Sequence, residues 1–186
     1  MKRTFDFFLA SILLIITIPF LILISILIKM DSKGPVFFKQ KRVGKKEIHF
    51  TLYKFRTMKV DTPEVATDLL LNRENYITSI GKLLRKTSLD ELPQLLNIIK
   101  GDMSFVGPRP ALYNQYKLIE MRRAKGVNNI LPGLTGIAQI NGRDNISDED
   151  KVHYDEQYLK QQSVMSDIKI MILTLFNAVT GKDIVG

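Results

Sequence analysis

Twenty-two consecutive residues, Phe7 to Ile28, carry no charge, and this run constrains the fold more than any other feature. At about 1.5 Å per residue, a helix of that length covers a ~30 Å hydrocarbon core. The hydrophobic region of a signal peptide is shorter, and no small-residue cleavage site follows Ile28. A helix apolar on every face for about six turns does not suit the interior of a small globular domain. The run therefore belongs in or on a membrane. Its flanks are basic on both sides, Lys2 and Arg3 before it and Lys29 and Lys33 after it, so the positive-inside bias assigns no direction. Pro19 lies mid-run, where a proline removes a helix hydrogen bond and clashes with the preceding turn at about 3 kcal/mol. A helix that breaks at Pro19 and returns leaves both basic flanks on the cytoplasmic side. A single pass is the alternative.

The remainder reads as one unit, giving a division into residues 1–33 (membrane element and flanks) and 34–186 (a globular domain without an internal boundary). The chain has no cysteine and only two histidines, His49 and His153. That excludes disulfide scaffolds, thiolate metal sites and cysteine nucleophiles, and leaves little for a zinc site or a Ser-His-Asp triad. Chemistry must rest on carboxylates, arginines, lysines and a hard cation. Residues 29–59 hold ten Lys/Arg against Asp31 and Glu47, an excess equal to the whole chain's net charge of +8. Such a block suits anionic lipid, nucleotide phosphates or nucleic acid, or is simply a solvated face.

Aromatic and β-branched residues at Val36–Lys41 and Glu47–Tyr53, separated by Val43-Gly44-Lys45-Lys46, predict a β-hairpin. Helices are predicted at 64–72, 88–100 (ending at Gly101), 111–125, 148–161 and 164–180, with a short strand at Ile137–Ile140. The fold class is α/β, mostly helical with one hairpin. The last helix aligns Met165, Ile168, Ile172, Leu175, Phe176 and Val179 on one side. That face is either core or one lying in the membrane interface.

Arg85-Lys86-Thr87-Ser88-Leu89-Asp90-Glu91-Leu92-Pro93-Gln94 is the most informative segment. Ser88 and Glu91 have capping-box spacing, which places Asp90 and Glu91 in a first turn, where the helix dipole favours ionised carboxylates. Acids there ordinarily stabilise the helix and do nothing else. Their neighbours suggest more. An ionised carboxylate is a competent nucleophile, and a second one beside it can hold Mg²⁺. Arg109, pinned between Pro108 and Pro110, can take phosphate oxygens bidentately. Arg56, Lys59 and Arg85 are further cations for an anionic substrate. Neither a P-loop nor a Rossmann glycine pattern is present.

These residues resemble a known family. Thr87 to Asn97, Lys100-Gly101-Asp102-Met103-Ser104 and Val106-Gly107-Pro108-Arg109-Pro110 look like the bacterial sugar transferases, the monotopic polyprenol-phosphate phosphoglycosyl transferases. Tyr53-Lys54-Phe55-Arg56-Thr57-Met58 and the stretch from Pro132-Gly133 to Gly142-Arg143 resemble two further family blocks. The resemblance implies that Asp90 attacks the β-phosphate of a UDP-sugar, releasing UMP. It also implies that undecaprenyl phosphate then takes the sugar phosphate from Asp90, as in enzymes that initiate capsule or glycan assembly. Glu91 matches the adjacent acid associated with Mg²⁺, making Asp90 and Glu91 the metal-holding pair. Lys59, Arg85, Arg109, Arg143 and Asp167 match positions near the substrate. An N-acetylated hexosamine or its 6-deoxy form is the implied sugar, and downstream glycosyltransferases are implied partners. The family anchor is a re-entrant helix broken at a Ser-Pro pair. Here Pro19 is kept and Ile18 stands in the serine's place. The implied location is the cytoplasmic face of the bacterial cell membrane, with interfacial helices in the catalytic domain.

Two rival functions have less support. A membrane adaptor explains the anchor and the charge but leaves Asp90-Glu91 and Gly-Pro-Arg-Pro without a role. A nucleic-acid binder, reading Lys54-Phe55-Arg56 as an aromatic-basic surface, conflicts with the apolar N-terminus.

Overall fold

The computed structural model describes residues 2–62, 73–142 and 146–180. The apolar run forms α1 (Lys2–Asp31), an unbroken helix with Pro19 inside it. Beside the proline, the Thr17 hydroxyl donates to the carbonyls of Leu13 (2.7 Å) and Leu14 (3.2 Å). Among the described residues this is the one helix long and apolar enough to cross a membrane.

Both ends of α1 dock on the same domain. At its start, the Arg3 guanidinium donates to the carbonyls of Ile98 and Ile99, and Lys2 pairs with Asp167. Ala10 enters the main core with Ile98, Met103 and Val106. At its end, Ile24 and Ile28 pack against Phe55 and Leu84. Arg56 closes that end by donating to the carbonyls of Ser32 and Lys33 at 2.8 Å each, where a cation complements the helix dipole. Arg56, a candidate substrate cation by sequence, is therefore a buried cap. The outward face of α1, including Phe8, Ile12, Ile15, Ile16, Phe20 and Leu23, is exposed.

The expected hairpin is present as antiparallel β1 (Phe37–Val43) and β2 (His49–Phe55), joined through a 3₁₀ turn at Lys45–Glu47. Lys46 (φ 54°) and Glu47 (φ 62°) are left-handed in that turn. Helix α2 (Ser79–Thr87) was not anticipated by the sequence patterns. The Thr78 hydroxyl caps it by accepting from the Gly81 amide. The expected helix over 88–100 is two pieces. A 3₁₀ segment, Leu89–Gln94, precedes α3 (Leu95–Lys100), which ends at Gly101 (φ 95°) as predicted. Ser88 is not an N-cap donating order to Asp90's turn. It has φ 57°, ends α2, and makes no side-chain cap hydrogen bond.

Strand β3 (Ser104–Val106) pairs in parallel with β4 (Gly133–Thr135). The contact is close enough to demand glycine: a Cβ at Gly133 would sit 2.1 Å from the Gly107 nitrogen. The strand expected at Ile137–Ile140 is instead one helical turn, α5. Between β3 and β4 lies α4 (Tyr116–Ala124), shorter than expected. Helices α6 (Asp148–Gln161) and α7 (Val164–Thr180) match their predicted bounds. The apolar stripe of α7 is surface rather than core, because Met165, Ile172, Leu175 and Phe176 are exposed while Asp167 and Ile170 on the opposite side are buried. The predicted helix at 64–72, Arg143 and the side chain of Val179 lie outside the described residues.

Candidate active site

Four elements bring charged groups to one place. Asp90 and Glu91 come from the 3₁₀ segment after α2, Lys54 from β2, Arg85 from the last turn of α2, and Arg109 from the loop after β3. Lys54 Nζ lies 2.7 Å from Glu91 Oε1 and 3.9 Å from Asp90 Oδ2. Arg109 Nη1 lies 3.5 Å from the same Glu91 oxygen. Arg85 is steered by the segment after β2, its Nε donating to Thr57 Oγ1 at 3.2 Å.

Asp90 is 8% exposed. Burial pushes its carboxyl above the ordinary value, with Glu91's like charge adding to the rise. Lys54 foremost, then Arg85 and Arg109, oppose it. Three cations thus surround a desolvated carboxylate, an environment suited to stabilising charge on a phosphoryl group. A helix dipole was expected to keep these carboxylates ionised, but the segment is a short 3₁₀ stretch containing Pro93, and at Asp90 the charged form is favoured by side-chain cations. Left-handed Ser88 places about 1 kcal/mol of backbone strain two residues before Asp90.

Of the expected site residues, the structure assembles Asp90, Glu91, Arg85 and Arg109. Lys59 is exposed, and its backbone amide donates to the Tyr76 carbonyl. Asp167 is buried and engaged by Lys2 and by the Tyr158 hydroxyl at 2.7 Å, so its carboxylate ties the start of α1 to α6 and α7. The cation that sequence reasoning missed is Lys54. Its signal was strand alternation: Phe50 and Leu52 pack on the core, and Lys54, two residues further on the same face, is carried to Asp90.

A family model described as bacterial sugar transferase matches residues 1–181. The chain belongs to the bacterial sugar transferase family. It is 44% identical over 154 residues to the galactosyl transferase CpsE of Streptococcus agalactiae serotype III (strain NEM316), covering 76% of this chain and 34% of that protein. It is 43% identical over 175 residues to the uncharacterized sugar transferase EpsL of Bacillus subtilis (strain 168), covering 94% and 85%. It is 42% identical over 194 residues to the UDP-glucose:undecaprenyl-phosphate glucose-1-phosphate transferase of Escherichia coli (strain K12), covering 98% and 41%. The chain therefore spans less than half of two of these sugar transferases and most of the third.

Proposed function

We propose that this chain moves a sugar 1-phosphate from a UDP-sugar to undecaprenyl phosphate at the cytoplasmic face of the membrane, initiating a surface polysaccharide. The carrying observation is the buried Asp90 carboxylate with Glu91 beside it and Lys54, Arg85 and Arg109 around it. An Asp90 oxygen attacks the β-phosphorus of the UDP-sugar. The bond from that phosphorus to the oxygen bridging the two phosphates breaks, and UMP leaves with the electron pair. The phosphosugar stays on Asp90 as an acyl phosphate. A phosphate oxygen of the polyprenol then attacks the same phosphorus, the bond to Asp90 breaks, and the carboxylate is restored as the polyprenol diphosphosugar departs. Lys54, Arg85 and Arg109 hold the diphosphate and offset charge developing on its oxygens.

The donor set fits Mg²⁺. Asp90 and Glu91 supply two adjacent hard-oxygen ligands, and Mg²⁺ ordinarily completes its shell with water and substrate phosphates. Among the described residues no third His, Cys, Asp or Glu joins this pair, so water and substrate phosphates would have to complete the shell. When bound, Mg²⁺ would supply charge neutralisation at the diphosphate.

Anchoring follows from α1 and α7. Because both termini of α1 bond to one domain, the proposal is an anchor whose ends share one side of the bilayer; α1 continues through Pro19 without the break expected there, so its outward apolar face, not a broken hairpin, meets the lipid. The exposed apolar stripe of α7 extends the lipid contact along the surface. The exposed lysines of segment 29–59, with Arg56 and Lys54 engaged inside the domain, would face anionic headgroups, at about 1 kcal/mol per basic residue near the surface. That arrangement lets one site meet a water-soluble nucleotide sugar and a lipid phosphate.

The test is UMP release from UDP-glucose, UDP-galactose and UDP-N-acetylhexosamines, including 6-deoxy forms, with short-chain polyprenol phosphate, with and without EDTA. One sugar should support turnover and EDTA should stop it. Rapid quenching and mass spectrometry should then find the phosphosugar on the peptide containing Asp90. Turnover with a clean Asp90 peptide would overturn the covalent step, and no turnover with any sugar would overturn the activity. A further expectation concerns Lys54. Its charge opposes the rise in Asp90's pKa, so Lys54→Gln should move the acidic limb of the kcat/KM profile to higher pH, as well as slow the reaction. A limb that stays in place would remove Lys54 from this role.

A further inference from the structure

We infer that Arg122, anchored by Asp155, is a positioning residue for the Arg109 guanidinium. The inference rests on the proposed function, in which Arg109 holds the diphosphate. The loop Pro108-Arg109-Pro110 has two prolines and so lacks two of the three amide donors a loop would normally use to tie itself down. Its three carbonyls are instead each held from a different element. The Gly133 amide of β4 donates to the Pro108 carbonyl at 2.8 Å. Arg122 Nη1 of α4 donates to the Arg109 carbonyl at 2.8 Å. Arg42 Nη1 of β1 donates to the Pro110 carbonyl at 2.9 Å.

The middle bond fixes the backbone of the functional residue itself. Arg122 and Asp155 are 4% and 3% exposed. Arg122 Nε and Nη2 both meet Asp155 Oδ2, at 2.9 and 2.7 Å. All three guanidinium nitrogens are thus committed, two to the carboxylate and one to the Arg109 carbonyl. A planar guanidinium gripped on one edge aims its third nitrogen in a fixed direction. Buried ion pairs are poor sources of net stability and are often replaceable by apolar residues. A pair whose spare donor reaches the backbone of a phosphate-binding arginine therefore has a use that packing alone does not explain. A cavity of about 20 Å³, room for one water, lies behind the loop between Pro108, Arg109, Pro110 and Arg122. The loop has space to relax once the bond is lost.

Arg122→Lys keeps the charge but loses the fork, and Asp155→Asn keeps the shape but loses the anchor. In full-length protein reconstituted in phosphatidylglycerol/phosphatidylethanolamine nanodiscs, either change should lower kcat about 10–100-fold, the scale set by an ångström of misplacement. KM for polyprenol phosphate should stay within about twofold, as expected when only the Arg109 contact is disturbed. In an Arg109→Ala background, Arg122→Lys should add no further loss. Amide hydrogen exchange should quicken in the peptide spanning 105–112 and remain at wild-type rates elsewhere. The same fold loss with and without Arg109, or unchanged exchange at 105–112, would overturn the inference. Faster exchange throughout the chain in both variants would also overturn it, leaving a purely structural pair. If wild-type protein releases no UMP from any UDP-sugar, the proposed function fails, and the exchange measurement decides the positioning role independently.

Discussion

Asp90→Asn is expected to abolish UMP release and, at neutral pH, to raise the melting temperature of the protein. The first effect follows from the proposed attack by an Asp90 oxygen, whose charge the variant removes. A neutral amide is no nucleophile toward phosphorus, and loss of at least about 10⁴-fold is the scale for removing a covalent nucleophile. The second effect follows from where the charge sits. Burial raises the Asp90 pKa above 3.8 in the folded protein despite three nearby cations. Below that value the carboxyl is protonated in both folded and unfolded chains, and the charge makes no difference. As pH rises, the unfolded chain ionises first while the folded chain holds its proton longer. The folded state therefore loses stability through that window and does not regain it above. Asparagine fills the same space and does not titrate, so the variant escapes the loss. Melting curves of wild type and Asp90→Asn in EDTA should diverge above about pH 4 and converge below it. A variant less stable than wild type at pH 7.5 would show that the cations fully compensate the burial. A variant that still turns over would displace Asp90 as nucleophile.

Such an exchange of stability for reactivity is common at functional sites, and it separates what the sequence revealed from what it concealed. The identities of the acid pair and of Arg109 were legible because they are local: two carboxylates in series, and an arginine between prolines. Helices α6 and α7 were legible for the same reason, one beginning at Ser147, which accepts from the Asp150 amide, the other carrying a continuous apolar stripe. The electrostatics at Asp90 was not legible. Ser88 has the spacing of an N-cap, yet its left-handed backbone ends α2 instead. Lys54 and Arg122 act across 37 and 13 residues of sequence respectively; strand alternation gives the face on which Lys54 lies but not the partner it meets there. The three-residue strands β3 and β4 are too short for alternation to register. Ile137–Ile140 looked like a strand by composition but is one helical turn, with Gln139 Nε2 3.5 Å from the Gly107 carbonyl. Tertiary context overrode local preference there.

Asn97→Ala should cost about 2–6 kcal/mol of stability and lower the melting midpoint by about 4–24 °C for a chain of this size. Asn97 is fully buried in α3. Its Oδ1 accepts from the Tyr53 amide at 3.1 Å, and its Nδ2 donates to the Thr51 carbonyl at 2.7 Å. Those two groups lie on the edge of β2 turned away from β1, and a residue of a third strand would pair with them in the same way. The side-chain amide thus stands in for a neighbouring strand and closes an otherwise open edge. Alanine leaves one backbone donor and one acceptor facing α3 without that partner, each at about 1–3 kcal/mol. Asn97→Asp should be at least as damaging above its carboxyl pKa, because it turns an acceptor toward the Thr51 carbonyl. The loss reaches the active site through the strand itself, since Lys54 follows Tyr53 directly. Hydrogen exchange at the Tyr53 amide should therefore quicken together with a fall in kcat, whereas α6, remote from this edge, keeps its protection. An alanine variant that melts with wild type would mean that α3 holds the hairpin by its apolar face alone, through Leu95 and Ile98 against Leu52.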